Sequence, residues 1–188
     1  MARAKSPEKR QAILDAAVHA IAQSGLSAST ANIAKGAGIA EGTLFTYFPT
    51  KDDLFNDLYF ELKSSVYQQI NTGFPHSGRL RERVRHIWTQ SLLWAIARPE
   101  ARKASVQLNL SPIVTDKTRA RMNPERITAD QTMRELEKRG AFQDLPVGFA
   151  SSAMAAMQEA VMDTVSKDPK QKTALVEKGF SAFWQMTK

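Results

Sequence analysis

Apolar residues recur along this chain with a helical period, and no stretch alternates as a strand would. Ser6-Pro7-Glu8 reads as a helix start, with Ser6 as cap, Pro7 at the first helical position and an acid in the first turn. Ile13, Leu14, Ala17 and Ile21 share one face until Gly25 stops the run. Two short helices follow within Ser29–Lys51. The first is capped by Ser29 or Thr30 and turns Ile33, Ala34 and Ala37 inward, and the second, from Glu41 to about Tyr47, turns Leu44 and Phe48 inward. Gly38 lies between them, where a helix-ending glycine belongs.

Pro49 ends the second short helix, and Thr50 caps a fourth that reaches about Ile70, tied back by Phe48, Leu54, Leu58 and Leu62. The loop NTGFPHSG then reads as a hinge. A helix over 79–97 places Leu80, Val84, Ile87, Trp88, Ser91, Leu92 and Ala95 on one face. Pro99 opens a shorter one to about Leu110, and Ser111-Pro112 precedes a helical segment to Arg139, interrupted near Pro124 and closed by Gly140. Pro146 opens a helix lined with small residues to about Lys167. Asp168-Pro169 starts the last, which carries Val176, Phe180, Phe183 and Trp184 as a wide apolar stripe. The expected fold is all-α, with about nine helices and no repeat of fixed period.

Composition narrows the class of protein. A length of 188 residues suits a small domain joined to a larger one, and a formal charge of +7 suits a polyanionic partner. The absence of cysteine excludes disulfides and thiolate zinc sites and fits a reducing, cytoplasmic setting. The basic start MARAKSPEKR has no apolar run behind it, and nowhere do about 18 apolar residues run together, so neither secretion nor membrane spanning is expected. An enzyme is not expected: His19, His76 and His86 are scattered. Gly36-Ala37-Gly38 with Gly42 misses the dinucleotide-loop spacing and has no strand before it. No catalytic residue, metal site or cofactor is assigned.

The paired short helices have the form of a helix-turn-helix that enters DNA. A recognition helix needs small or polar residues at its exposed N-terminal end, and Glu41, Gly42, Thr43, Thr46 and Tyr47 meet that need. From the pattern alone, Phe45 and Tyr47 fit a core role as well, and Lys51 fits a solvated first turn.

Arg10, Ile13-Leu14, Ala16-Ala17, Gly25, Thr30, Ile33-Ala34, Ala37-Gly38, Gly42-Thr43-Leu44, Tyr47-Phe48, Lys51 and Leu54 together resemble the N-terminal domain of TetR-family regulators. That resemblance implies an all-α homodimer with a three-helix DNA-binding domain, placed at 1–52, and a larger ligand-binding and dimerisation domain at 53–188. It further implies that Thr30 and Lys51 face phosphates, leaving base reading mainly to Thr43, Thr46 and Glu41. Phe45 and Ala40 stand where family members commonly carry Tyr and Ser, which puts phosphate hydrogen bonds at those two places in doubt.

A narrower likeness, in IAQSG, AST, AEGTLF and YF-x-TKD and more thinly in IW, MD, DP and GF-x-A-x-W, is to RamR-type regulators of drug efflux. It directs the ligand site to Tyr59, Lys63, Val66, Trp88 and Met154, to which the apolar pattern adds Leu92 and Phe149. Trp88 fits pocket wall and core equally well. A flat aromatic there would favour planar or steroid-like hydrophobic effectors, cationic ones included.

The last two helices suit self-association. Ala150, Ser151, Ser152, Ala153, Ala155 and Ala156 permit close approach of helices, Met157 and Val176 join the expected interface, and Phe180, Phe183 and Trp184 supply an apolar face that one chain would not easily cover. The expected function is a homodimeric repressor of a palindromic operator, released by a small hydrophobic inducer, with drug efflux as a candidate target. The alternatives are a nonspecific or architectural DNA binder, or a helical ligand carrier without regulatory coupling.

Overall fold

A computed structural model describes residues Ser6 to Lys188, so the basic start of the chain before Ser6 lies outside it. Among the described residues there are ten α-helices and no strand. They are α1 Pro7–Ser24, α2 Thr30–Gly36, α3 Glu41–Tyr47, α4 Lys51–Asn71, α5 Leu80–Ala97, α6 Pro99–Leu110, α7 Asp116–Arg121, α8 Asn123–Leu136, α9 Phe149–Lys167 and α10 Lys172–Gln185. By contact the chain divides into two compact units. One holds the residues up to Ser65 with Arg98–Asn123, and the other holds Val66–Ala97 with Pro124–Lys188. The division crosses α4, so the loop NTGFPHSG lies inside the second unit rather than between the two.

In the first unit α1 packs on α2 and α6, and α2 packs on α3. Ser6 caps α1 by accepting from the Lys9 N–H, and Ile13, Leu14, Ala17 and Ile21 are all buried. The turn between α2 and α3 is a Schellman closure: the Ile39 N–H donates to the Ala34 carbonyl at 3.0 Å and the Gly38 N–H to the Lys35 carbonyl at 3.1 Å. Gly38 stands at φ 67° with open space where a Cβ would go, so backbone strain alone opposes a side chain there. Gly38→Ala is expected to cost about 1–2 kcal/mol in a denaturant titration. An unchanged midpoint would contradict the turn.

The second unit packs α5, α9 and α10 together. Trp88 is wholly buried at its centre, stacked on Phe183 with ring centroids 5.9 Å apart, its indole N–H donated to the Val176 carbonyl at 2.9 Å. Gly179 makes this fit: a Cβ there would lie 2.9 Å from the Trp88 ring and 2.8 Å from Val161.

The expected interruption near Pro124 is present: α7 ends at Arg121 and α8 begins at Asn123, because Pro124 has no N–H for the preceding turn and the chain breaks at Met122. Two other expected boundaries are corrected. The helix expected from Pro146 starts at Phe149, after Gly148 turns into the left-handed region at φ 90° with its N–H held by Glu137 at 2.7 Å. Asp168-Pro169 opens a 3-10 turn, and α10 follows from Lys172.

Candidate nucleic-acid interface

The turn at Gly38 sets α3 on the first unit with one side sealed and the other open. Leu44 and Phe48 are buried, Thr43 and Tyr47 are half-buried, and Glu41, Gly42, Phe45 and Thr46 are exposed. Phe45, at 41% exposure, is therefore not core. Ala40 stands at the N-cap and offers no side-chain oxygen, so the first N–H groups of α3 have no side-chain cap.

The polar side chains around α3 are already engaged within the fold. The Thr30 hydroxyl donates to Glu41 Oε1 at 2.6 Å, joining the start of α2 to the start of α3. The Thr46 hydroxyl donates to the Thr43 carbonyl at 2.6 Å, and the Tyr47 phenol oxygen accepts from the Ser6 N–H at 3.0 Å. The α4 start is closed reciprocally: the Asp53 N–H donates to Thr50 Oγ1 at 3.0 Å, and the Thr50 N–H donates to Asp53 Oδ2 at 3.1 Å.

Lys51 is half-buried rather than a free surface cation. Its ammonium donates to the Leu26 carbonyl at 2.8 Å and lies 5.2 Å from the centre of the Phe55 ring. One of its three protons is thus committed within the fold, leaving two that an anion could take. Arg10 joins α1 to α4 through Asp57 at 3.2 Å and Glu61 at 2.9 Å. Burial opposes its charge, but the hydrogen bonds and charges of the two carboxylates outweigh this, and the guanidinium is held above its ordinary range. This clasp fixes the helix on which the reading pair rests.

The residues expected to hold a ligand do not gather in one unit. Tyr59 and Lys63 belong to the first, and Val66, Trp88, Leu92, Phe149 and Met154 to the second. Trp88 and Leu92 are wholly buried side chains of the second unit's core, Met154 is buried, and Phe149 is 43% exposed at the start of α9. Tyr59 lies between two cations, Lys63 at 5.6 Å and Arg119 at 5.4 Å from its ring centre, a cluster that the sequence did not reveal.

The expected dimer face is corrected in part. Val176, Phe180 and Phe183 are buried within the chain itself, because α10 folds onto α5 and α9 and uses its stripe there. Ala156 is exposed, and Ala153, Met157 and Trp184 are half-exposed, so these four remain open to a second copy.

An open short helix, closed on its predecessor by a tight glycine turn and resting on a longer helix, places the first unit among helix-turn-helix DNA-binding modules. The profile of the family described as "Bacterial regulatory proteins, tetR family" matches residues 13–58, which run from within α1 into the start of α4. The HTH-type transcriptional regulator AcrR of Shigella flexneri is 36% identical over 90 residues, covering 44% of this chain and 41% of that protein. The fatty acid metabolism regulator protein of Bacillus subtilis is 33% identical over 81 residues, and again only 41% of the relative is spanned. Over the whole fold, a tetR family transcription regulator from Shewanella sp. PV-4 superposes with a TM-score of 0.79 at 26% identity, covering 94% of this chain and 96% of the other. Residues 13–58 thus match the tetR-family model, and the chain as a whole shares the fold of a tetR family transcription regulator.

Proposed function

We propose that the chain is a ligand-responsive homodimeric repressor that binds a palindromic operator through α2 and α3 and is released by a small hydrophobic effector. The observation that carries this reading is the exposed face of α3, held out on a sealed helix-turn-helix. Functionally, residues 1–52 form the DNA-binding domain and 53–188 the sensing and pairing domain, working in the cytoplasm. Two copies paired through Ala153, Ala156, Met157 and Trp184 would set two reading helices about 34–36 Å apart, one turn of DNA.

Release is a population shift. An effector that favours a dimer geometry with mis-spaced reading helices lowers operator affinity by its differential binding alone. Planar hydrophobic compounds, cationic ones included, are the proposed effector class. The regulator LfrR of Mycobacterium smegmatis, solved in complex with proflavine, shares this fold with a TM-score of 0.67 at 20% identity, and that chemistry agrees with the RamR-like wording that points to efflux control. Titrating such compounds against a bound operator tests the claim. Tight effector binding with unchanged operator affinity would contradict it.

Lys51 supplies the phosphate-gripping charge in this reading. Lys51→Ala is expected to weaken binding to all sequences about equally and to reduce the salt slope by about 1. Loss of the Leu26 contact adds about 1–2 kcal/mol of destabilisation, read in a parallel thermal melt. A variant that lost affinity for one sequence alone would contradict the assignment.

A further inference from the structure

Building on the regulator reading above, we infer that the exposed face of α3 recognises bases by accepting hydrogen bonds. It therefore reads the amino groups of cytosine and adenine and the methyl of thymine, and does not read the N7 and O6 acceptors of guanine.

At about 3.6 residues per turn, Glu41 and Phe45 form one row along α3, and Gly42 and Thr46 form the row beside it. These four are its exposed residues. The Glu41 carboxylate is an acceptor with no proton to give. The direction of its bond with Thr30 follows from this: the hydroxyl must donate, which fixes one carboxylate oxygen at the mouth of the helix and leaves lone pairs for a base.

Thr46 reaches the same state by another route. Its single hydroxyl proton goes to the Thr43 carbonyl, so what it turns outward is lone pairs. Gly42 adds only room, and the Phe45 ring adds an apolar surface suited to a thymine methyl.

A Thr hydroxyl with a free proton can serve either purine; the side chains that pair bidentately with guanine N7 and O6 are Arg and Lys, and those that pair so with adenine N6 and N7 are Asn and Gln. None of these four bidentate residues occurs in EGTLFTY. Tyr47 has its phenol oxygen at Ser6, at the start of α1, and Thr43 is half-buried at the edge of the face. In the major groove the exposed face can therefore meet donors, the cytosine N4 and adenine N6 amines, and it sets a carboxylate against guanine's two acceptors. Thr30 acts through Glu41 as a positioning residue. While its proton is held there, its hydroxyl cannot also donate to a phosphate.

The test uses the full chain and DNA sites selected from a random pool, with base analogues placed at the positions under α3. Removing an amine, with purine for adenine or 2-pyrimidinone for cytosine, is expected to weaken binding about ten-fold or more. Replacing N7 with 7-deazaadenine or 7-deazaguanine is expected to change it less than two-fold. Glu41→Gln gains a donor and should move the preference at its base pair from cytosine towards adenine. Thr30→Val should flatten the preference at that same pair with the salt slope unchanged, and Thr30→Ser should restore it. Strong loss with the deaza bases and none on amine removal would overturn the inference, as would identical selected sites for wild type and Glu41→Gln. A selection yielding no sequence preferred over random DNA would overturn the operator-binding reading and this inference together.

Discussion

Replacing Gly42 with leucine is expected to leave the protein folded and to lower operator affinity by more than ten-fold. No atom lies within 4 Å of where a Cβ would sit, and the residue is inside a helix with ordinary backbone angles. Loss of a helical glycine therefore stabilises by up to about 1 kcal/mol. The same side chain projects between Glu41 and Thr46, from the face that must approach base edges. Each good base contact is worth about 1–3 kcal/mol, so losing one or two accounts for the fall. Thermal melting and operator titration of one preparation separate the two effects. A variant that melts no lower and binds as tightly as wild type would show that α3 does not enter the groove.

Trp88→Ala is expected to cost about 3–5 kcal/mol, the range for emptying a large aromatic from a packed core. The cavity would open against Phe180 and Phe183 and leave the Val176 carbonyl without its indole donor. Denaturant unfolding followed by circular dichroism gives the number. If Trp88 chiefly lined an effector pocket, the variant would keep most of its stability and lose effector affinity instead.

The local grammar of the chain carried much of the fold. Ser6-Pro7, Ser29, Gly38, Thr50 and Pro99 each mark a helix end through chemistry confined to neighbouring residues, and the structure uses each at its expected end. The start of α9 was hidden because it depends on Glu137 reaching the Gly148 N–H, 11 residues away. The same limit applied at the interface. That α3 exposes Glu41, Gly42, Phe45 and Thr46 is nearly a matter of helical period, once Leu44 and Phe48 are placed inward. That Thr30 holds Glu41, and Lys51 holds the Leu26 carbonyl, depends on contacts between elements that no periodicity encodes.

The stripe on α10 shows the opposite failure. Val176, Phe180 and Phe183 carry the pattern of a buried face, but a pattern does not say which surface covers it. Within this chain α5 and α9 do so, with Gly179 letting Trp88 come close. Small residues on α9 and the edge of Trp184 are what remain for a second copy.

On the proposed function, α3 reads a defined operator in a paired arrangement. Genomic fragments retained by the purified chain at near-physiological salt, sequenced and footprinted, test it most directly. One enriched palindrome is expected, with half-site centres about 10 base pairs apart or a multiple of one helical turn. Retention of fragments without any shared sequence, or of single unpaired half-sites, would contradict it.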